Sequence, residues 1–425
     1  MNEDFLHYIW KYRLFDSEEL MSSQGQYLEL IDVGRLNRDS GPDFFEARIQ
    51  IDDLLWVGNV EIHIKSSDWY KHHHEVDSAY NNVILHVVLK NDTDIILSDG
   101  RLLPCLELKI PDQYLKRYQN LMSSQSWIPC QVDIPKLNNF FVNHWLDRML
   151  LERLERKAGE INQIYHQNAD SWEETFYQLL ARYFGMKVNA DPFEQLARSV
   201  SLKILAKHKN SLLQLEAILF GQAGFLDDSI PGDPYYCDLQ REYRFLKNKF
   251  ELKPIEKRRW KFMRIHPVNF PIIRIAQFAK LIYQSQSLFS KIKQVENVNE
   301  FYLLLETEAS QYWDNHYRFG EKVDFKKKVL GRSTIDILII NAIVPILFVY
   351  GKEIGNHFYL DRVLVYLEQM KPERNSIVKS WIESGVVVKS AFDSQSLLHL
   401  KSEYCNKYKC LECELGNRIL RLEQM

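Results

Sequence analysis

The sequence predicts an α+β domain at the N-terminus, followed by a large, mainly α-helical region. Most of residues 26–110 form short apolar runs with strand character, whereas residues after 136 carry apolar side chains at helical spacing. Because 425 residues are too many for one compact core, we expect two or three domains. The Ser- and Pro-containing stretch 122–136 marks a boundary, so the predicted regions are 1–125 and 126–425.

The predicted element order in the N-terminal domain is helix, three strands, helix, strand and then an appended hairpin. The first helix is amphipathic, and turn-forming residues separate the strands after it. A short helix that begins at Ser67 or Asp68 precedes the continuous apolar strand "VILHVVL". The predicted segments are 4–22, 26–33, 44–51, 54–65, 68–82, 83–89 and 95–110.

The composition is that of a folded soluble protein, with 46% hydrophobic and 26% charged residues. A net charge of -3 excludes a globally basic nucleic-acid binder but allows a local basic groove.

The first residues of the chain are not those of a signal peptide, because they include early acidic residues and lack a long apolar stretch. Asp336, Asn341 and Pro345 interrupt the most apolar window, so we expect a buried element there and no membrane segment. We therefore expect a cytoplasmic protein whose six cysteines are thiols or metal ligands.

A possible metal site lies in the stretch "GPDFFEARIQIDDLLWVGNVEIHIK". Glu61, His63 and Lys65 alternate with apolar residues and share one strand face, while Asp43 begins the neighbouring strand of the predicted hairpin. Two convergent carboxylates suit Mg²⁺ or Mn²⁺, so Asp43 and Glu61 are the expected metal ligands. His63 or Lys65 could then position or deprotonate a water molecule. An ordinary half-exposed strand explains the alternation equally well.

These residues resemble the motif of the PD-(D/E)XK nuclease superfamily. Pro42-Asp43 matches the first acidic position and Glu61 matches the second, while His63 stands where the motif has lysine. The resemblance implies a restriction-endonuclease-like core with the element order given above, and metal-dependent cleavage of phosphodiester bonds. Lys65, two residues later on the same face, could replace the missing lysine.

A second resemblance extends over nearly the whole chain. The segments "GPDF", "GNVEIH", "SDW", "YNNVILHVV" and "ILFGQAG" look like those of the uncharacterised domain-of-unknown-function family 2851. This resemblance supports a nuclease-like N-terminal domain and implies no particular substrate.

Polar residues after the third strand extend the site hypothesis. On a helix, His74, Asp77 and Tyr80 would share a face, and His73 lies four residues before Asp77. His74 and Asp77 could line the cleft, or they could belong to a solvated helix face. His86, inside the apolar strand, is expected to be a hydrogen-bonded core histidine.

Two further segments are candidates for binding. Between Arg241 and Arg274, cations outnumber acids and aromatic residues are interleaved, which is typical of a nucleic-acid contact or of a solvated helix. The densest cationic positions are Lys257, Arg258, Arg259 and Lys261.

The cysteines near the C-terminus form the other candidate. Cys405, Cys410 and Cys413 have C-x4-C-x2-C spacing. This spacing is compatible with an iron–sulfur cluster or with zinc, for which His399 is a possible fourth ligand. Cys105, Cys130 and Cys237 are possible distant donors, and three incidental buried thiols are the alternative.

The leading hypothesis is a Mg²⁺-dependent nuclease that acts on DNA, with Asp43, Glu61, His63 and Lys65 as catalytic residues. One alternative is an inactive nuclease-fold module that binds nucleic acid or protein. The other is a histidine-based metallohydrolase that uses His63, His73, His74 and Asp77.

Overall fold

The computed structural model describes residues 2–227, 230 and 233–422. Two compact units account for the chain. The first comprises Met1–Leu146, Lys379–Val386 and Leu398–Met425, and the second comprises Asp147–Val378 and Val387–Leu397. The C-terminal cysteines therefore belong to the unit that contains the main sheet, although the sequence division grouped them with the helical region.

The first unit is built on a mixed sheet whose path is β1–β3–β4–β5–β6, with β2 paired to β3. β1, β2 and β4 run antiparallel to β3, whereas β5 runs parallel to β4 and to β6. The strands are β1 (Leu28–Asp32), β2 (Arg35–Leu36), β3 (Phe44–Ile51), β4 (Leu54–Lys65), β5 (Val83–Lys90) and β6 (Cys105–Glu107).

The hairpin of β3 and β4 has the predicted turn, where Ile51 pairs with Leu54 and Asp52 adopts φ 50°. At the other end, Phe44 pairs with Val60, so Asp43 lies beside Glu61. A register shift between Phe44 and Ala47 accompanies the left-handed backbone of Glu46, which is the arrangement of a β-bulge.

The helix α1 (Glu3–Lys11) begins at Asn2, whose side chain accepts a hydrogen bond from the Phe5 amide. Its apolar residues Phe5, Leu6 and Ile9 are fully buried, as expected for an amphipathic helix. The other helices of this part of the chain are α2 (Asp68–Lys71) and α3 (Asp112–Ser123), and α4 (Asn139–Gln167) follows them.

The second unit is mainly helical and has a small hairpin of β7 (His316–Arg318) and β8 (Glu321–Lys322). Its helices after α4 are α5 (Trp172–Phe184), α6 (Ala190–Ser199), α7 (Leu202–Lys207), α8 (Leu212–Gln222), α9 (Pro234–Phe250), α10 (Pro271–Gln284), α11 (Leu288–Gln294), α12 (Val298–Leu305), α13 (Arg332–Leu338), α14 (Val344–Glu353) and α15 (His357–Gln369). The remaining helices of the chain are α16 (Ser376–Glu383), α17 (Ala391–Glu403) and α18 (Glu414–Leu420).

The stretch Arg332–Glu353 contains a π-helical turn at Ile339–Ile343 and passes a test of length and apolarity for a membrane-spanning helix. Of its most apolar window, 78% is buried inside the structure, which is also the pattern of a core helix. Its apolar composition is therefore explained by its place in the core of the second unit.

The predicted α+β class is confirmed: a strand-rich N-terminal sheet precedes a helical region. Three predicted elements differ in detail. The first helix, expected over 4–22, spans only Glu3–Lys11. The helix expected over 68–82 ends at Lys71, because His73 adopts φ 61° and two 3₁₀ turns replace the remainder. The hairpin expected over 95–110 is reduced to one bridge between Ile96 and Leu102, and β6 pairs with β5.

Candidate metal centre

Strand β4 supplies two buried polar side chains to one face of the sheet. Glu61 is 4% exposed and His63 is 2% exposed. The neighbouring strand β5 adds His86, which is paired with Glu61 in the parallel register and is fully buried. Buried polar groups require partners, and here each has another polar side chain beside it.

The chain after β4 adds two more histidines. Because His73 has a left-handed backbone, the chain turns there, and His72 and His74 on either side of it approach His63. The Tyr80 ring stacks on His74 at 3.8 Å between centroids, and the Trp69 ring meets His74 edge-on at 5.4 Å. These aromatic contacts hold the His74 imidazole in place.

The side-chain nitrogen atoms of His63, His72 and His74 converge, and we call these three side chains the imidazole group. His63 Nε2 lies 3.1 Å from His72 Nδ1, and the candidate ligand atoms of His63, His72 and His74 are all within 4.8 Å of one another. The Glu61 Oε1 atom is 3.3 Å from His74 Nε2 and 3.5 Å from His63 Nε2. Zinc bonds of about 2.0–2.1 Å in a tetrahedron place neighbouring ligand atoms about 3.3 Å apart. The His63–His72 distance therefore fits two ligands of one transition-metal ion, and the ligand atom of His74 lies within 4.8 Å of both.

His86 orients the His63 ring through the nitrogen atom that does not face His72. The Nε2 atom of His86 lies 2.9 Å from His63 Nδ1, which leaves Nε2 of His63 directed toward His72. Burial, together with the neighbouring imidazoles, lowers the pKa of His63 to about 2, and burial with His74 lowers that of His86 to about 3. Both rings are therefore neutral at physiological pH, which is the form in which an imidazole binds a metal.

Asp43 stands beside this group at the start of β3. One oxygen of its carboxylate, Oδ2, accepts a hydrogen bond of 2.9 Å from the Ile62 amide and lies 3.1 Å from His7 Nε2. Burial lowers the pKa of His7, but the hydrogen bond and charge of Asp43 outweigh this effect, so the pKa is raised.

Glu61 and Asp43 are also joined directly, since the Asp43 amide donates a hydrogen bond of 3.1 Å to Glu61 Oε2. Burial raises the pKa of Glu61, and the negative charge of Asp43 adds to this rise, while His74 opposes it. Two interacting carboxylates therefore lie next to the imidazole group.

Four of the residues selected from the sequence meet here: Asp43, Glu61, His63 and His74. Lys65 has an exposed side chain whose charge acts on Asp92, and its amide donates to Asp68. Asp77 is exposed and accepts a hydrogen bond from the Ala79 amide, as the cap of a 3₁₀ turn. Among the described interactions neither side chain contacts the imidazoles of His63, His72 and His74, although the Asp77 amide donates a hydrogen bond to the His74 carbonyl.

His7, His72 and His86 belong to the site but were not selected as ligands from the sequence. His86 could have been found by pairing the apolar strand with β4 in parallel register. His72 gives a weaker signal, because a helix over 68–82 would have directed it away from His74. The side chain of His73 is 79% exposed and lies 3.8 Å from Glu75.

The basic segment and the cysteines lie elsewhere. Lys257–Arg259 form a 3₁₀ turn in the second unit, where Arg258 and Arg259 pair with Glu256. The backbone of Lys261 exchanges hydrogen bonds with Asn189, and the neighbouring Trp260 is a buried core residue. The three C-terminal cysteines are buried in the first unit: Cys405, Cys410 and Cys413.

Comparison with known proteins gives a family. The model of the family described as protein of unknown function (DUF2851) matches residues 3–376, which include every residue of the candidate metal centre but not Cys405–Cys413. No curated protein and no solved structure matches the chain significantly. Because the match spans most of the 425 residues, the chain belongs to the DUF2851 family.

Proposed function

We propose that this protein is a metal-dependent hydrolase that cleaves phosphodiester bonds in nucleic acid, with DNA as the first substrate to test. The observation that carries the proposal is the convergence of His63, His72 and His74 beside the Glu61 carboxylate. Such a group has the ligand atoms, the spacing and the neighbouring base that hydrolysis by a metal-bound water requires.

The ligand type favours a transition metal. Three imidazole ligands suit zinc and related ions, whereas Mg²⁺ prefers oxygen ligands. A centre with three protein ligands keeps a position for water, which is the arrangement of catalytic zinc. His63 is buried, but His72 is an exposed residue, so a substrate can approach from the side of His72. The alternative is the Mg²⁺ or Mn²⁺ site predicted from the sequence, in which Asp43 and Glu61 are the ligands.

The two carboxylates are suited to different tasks. Glu61 is adjacent to two of the imidazoles, and its raised pKa makes it a stronger base than an exposed carboxylate, so we assign to it the removal of the proton from water. Asp43 supports His7, whose raised pKa favours the protonated ring. His7 can therefore stabilise negative charge on the phosphoryl group or donate a proton to the leaving oxygen.

The choice of phosphodiesters rests on the resemblance to the PD-(D/E)XK superfamily. The order of α1, the antiparallel strands β1 to β4, the short helix α2 and the parallel strand β5 supports it. The adjacency of Asp43 and Glu61 across the β3–β4 hairpin supports it too. His63 at the lysine position of the motif is then explained as a metal ligand. Lys65 is not needed in this scheme.

Cleavage assays with the purified full-length chain test the proposal. Labelled single- and double-stranded DNA and RNA are incubated with the protein and Zn²⁺, Mn²⁺ or Mg²⁺ in parallel. We expect metal-dependent cleavage that a chelator abolishes and that His72→Asn reduces about a hundredfold or more. His73→Asn is the matched control and should cleave as the wild type does, because the side chain of His73 lies outside the imidazole group and Asn tolerates its left-handed backbone. Equal cleavage by both variants would contradict the assignment.

A second candidate is a nuclease-fold module that binds nucleic acid without cleaving it. The deep burial of Glu61 and His63 favours it, because a structural metal site is closed to solvent on most sides. Binding of DNA or RNA by the metal-loaded chain, with no cleavage under any of the three ions, would select this candidate over the hydrolase.

A further inference from the structure

Four buried thiols of the first unit form a second candidate group, distinct from the converging histidines. Each is between 7% and 8% exposed: Cys130, Cys405, Cys410 and Cys413. Cys130 is far from the other three in the sequence, yet its thiol is close enough to interact electrostatically with each of them. We call these residues the four-cysteine group.

The C-terminal members are held by a tightly folded loop. The Lys409 amide donates to the Tyr404 carbonyl, and the Cys413 amide donates to the Lys409 carbonyl. A Cβ atom at Gly416 would lie 2.2 Å from the Cys410 carbonyl oxygen, so only glycine allows this approach. The loop therefore keeps Cys410 close to the turn that begins α18 at Cys413.

The segment that carries Cys130 is fastened to the same loop. The Tyr408 hydroxyl donates a hydrogen bond of 3.1 Å to the Ser124 carbonyl. The Lys401 ammonium lies 5.0 Å from the centre of the Trp127 ring. These two contacts bring the segment 124–130 against the C-terminal segment and explain how Cys130 reaches the other thiols.

The surroundings of Cys413 suit a thiolate ligand. The Gly416 and Leu415 amides and the Trp145 indole are hydrogen-bond donors to the Cys413 sulfur. Amide and indole donors directed at a sulfur atom stabilise its negative charge, and such bonds surround the sulfurs of iron–sulfur proteins.

The spacing of the sulfur atoms distinguishes a site for one zinc ion from a site for an iron–sulfur cluster. One zinc ion bound at about 2.3 Å by each thiolate keeps the sulfurs within about 4.6 Å of one another. Across residues 2–227, 230 and 233–422, the imidazole group is the only set of three or more candidate ligands within 4.8 Å. No three of the four sulfur atoms therefore lie as close together as a single zinc ion requires. An iron–sulfur core places several iron and sulfide atoms between its thiolates and fits a wider group.

We propose that the four-cysteine group binds an iron–sulfur cluster, with Cys130 as the fourth ligand. The cluster links residues 398–422 to the segment around Cys130 and so closes a very long loop of the chain. It is independent of the imidazole group and of the proposed hydrolysis.

Iron and sulfide analysis of the full-length chain, produced and purified without oxygen, tests the proposal. We expect about two to four iron atoms per chain with an equal amount of acid-labile sulfide, and visible absorption from sulfide-to-iron charge transfer. Cys130→Ala and Cys410→Ala should each lose most of the iron. Cys105→Ala is the matched control, because Cys105 is also a buried thiol of the first unit and the described groups that act on it electrostatically are Glu107 and Asp94.

Three results would overturn the proposal. The first is wild-type protein that holds no iron even after incubation with ferrous iron and sulfide. The second is one tightly bound zinc ion in place of iron, and the third is full iron content in Cys130→Ala. The wild-type measurement decides the matter even where a cysteine variant fails to fold. His72→Asn should keep its iron, so that failure of the hydrolase proposal is distinguishable from failure of this one.

Discussion

The Nε2 atom of His63 lies 3.1 Å from the Nδ1 atom of His72, although strand β4 carries the first residue and the turn after α2 carries the second. The left-handed backbone of His73 brings the two rings together. Two imidazoles at this distance can share one proton, or both can bind the same metal ion. The convergence of His74 on the same point favours the metal ion.

Glu61→Gln should separate catalysis from metal binding. The amide can still accept the hydrogen bond from the Asp43 amide, but it cannot take a proton from water. We expect metal content near that of the wild type and a loss of cleavage of about a hundredfold or more. Glu46→Gln serves as the control, since Glu46 is exposed and pairs only with Arg35 among its described ion pairs. Equal loss in both variants would count against a role for Glu61 as the base.

His86→Ala should weaken metal binding although His86 touches no proposed metal position. It removes the group 2.9 Å from His63 Nδ1 that orients the imidazole. Removal of such an orienting partner costs about 10–100-fold in metal affinity. Calorimetric titration of the metal-free protein with zinc measures the change in zinc affinity. An unaltered zinc affinity in a folded variant would show that His63 is oriented without His86.

Two glycines should respond to alanine with opposite signs. A Cβ atom at Gly58 on β4 would lie 2.4 Å from Ile84 Cγ2 and 2.7 Å from the Asn82 carbonyl oxygen, so Gly58→Ala should lower the free energy of unfolding by about 1–3 kcal/mol. Gly159 is inside α4 and has open space around it, so Gly159→Ala should raise that free energy by about 1 kcal/mol. Denaturant unfolding measures both changes, and a stabilised Gly58→Ala would contradict the close packing of β4 on β5.

The stability of the second unit should fall as pH rises toward neutrality. Burial raises the pKa of Glu216 from 4.5 to about 7, while Ser310, Tyr235 and Lys280 act in the opposite direction. Between these values the unfolded state has lost its proton and the folded state has kept it, so unfolding becomes easier as pH increases. The group therefore favours folding below about pH 4.5 and loses this contribution, about 3 kcal/mol, as pH rises through 7.

Glu216→Gln tests this dependence, because the amide has the same shape and does not titrate. The free energy of unfolding of the wild type, measured in denaturant at about pH 5 and about pH 8, should fall more than that of the variant. Parallel pH profiles for the two proteins would mean that Glu216 is ionised in the folded state at both values.

The sequence predicts the hairpin of β3 and β4 well, because alternation of side chains over two adjacent runs determines which residues share a face. For the same reason it predicts that Asp43 and Glu61 lie beside each other. His72 was missed because its position depends on the left-handed backbone of His73, and a histidine adopts that conformation too rarely to predict it from sequence. The expectation that His74 and Asp77 share a helix face depended on a helix that ends at Lys71.

The grouping of the cysteines shows a different limit. The spacing of Cys405, Cys410 and Cys413 suggests a metal site from local sequence alone. The fourth partner could not be selected among the remaining cysteines and His399, because contacts between distant segments depend on the packing of the whole unit. The structure brings Cys130 within electrostatic range of all three C-terminal thiols, which no local sequence pattern could indicate.

The metal content of the imidazole group tests the central claim most directly. Full-length wild type, His72→Asn and His73→Asn are depleted with a chelator, dialysed against Zn²⁺ and analysed by mass spectrometry for zinc bound per chain. We expect about one tightly bound zinc ion in the wild type and in His73→Asn, and a loss of most of it in His72→Asn. No zinc in the wild type, or equal zinc in the two variants, would contradict a metal centre at His63, His72 and His74.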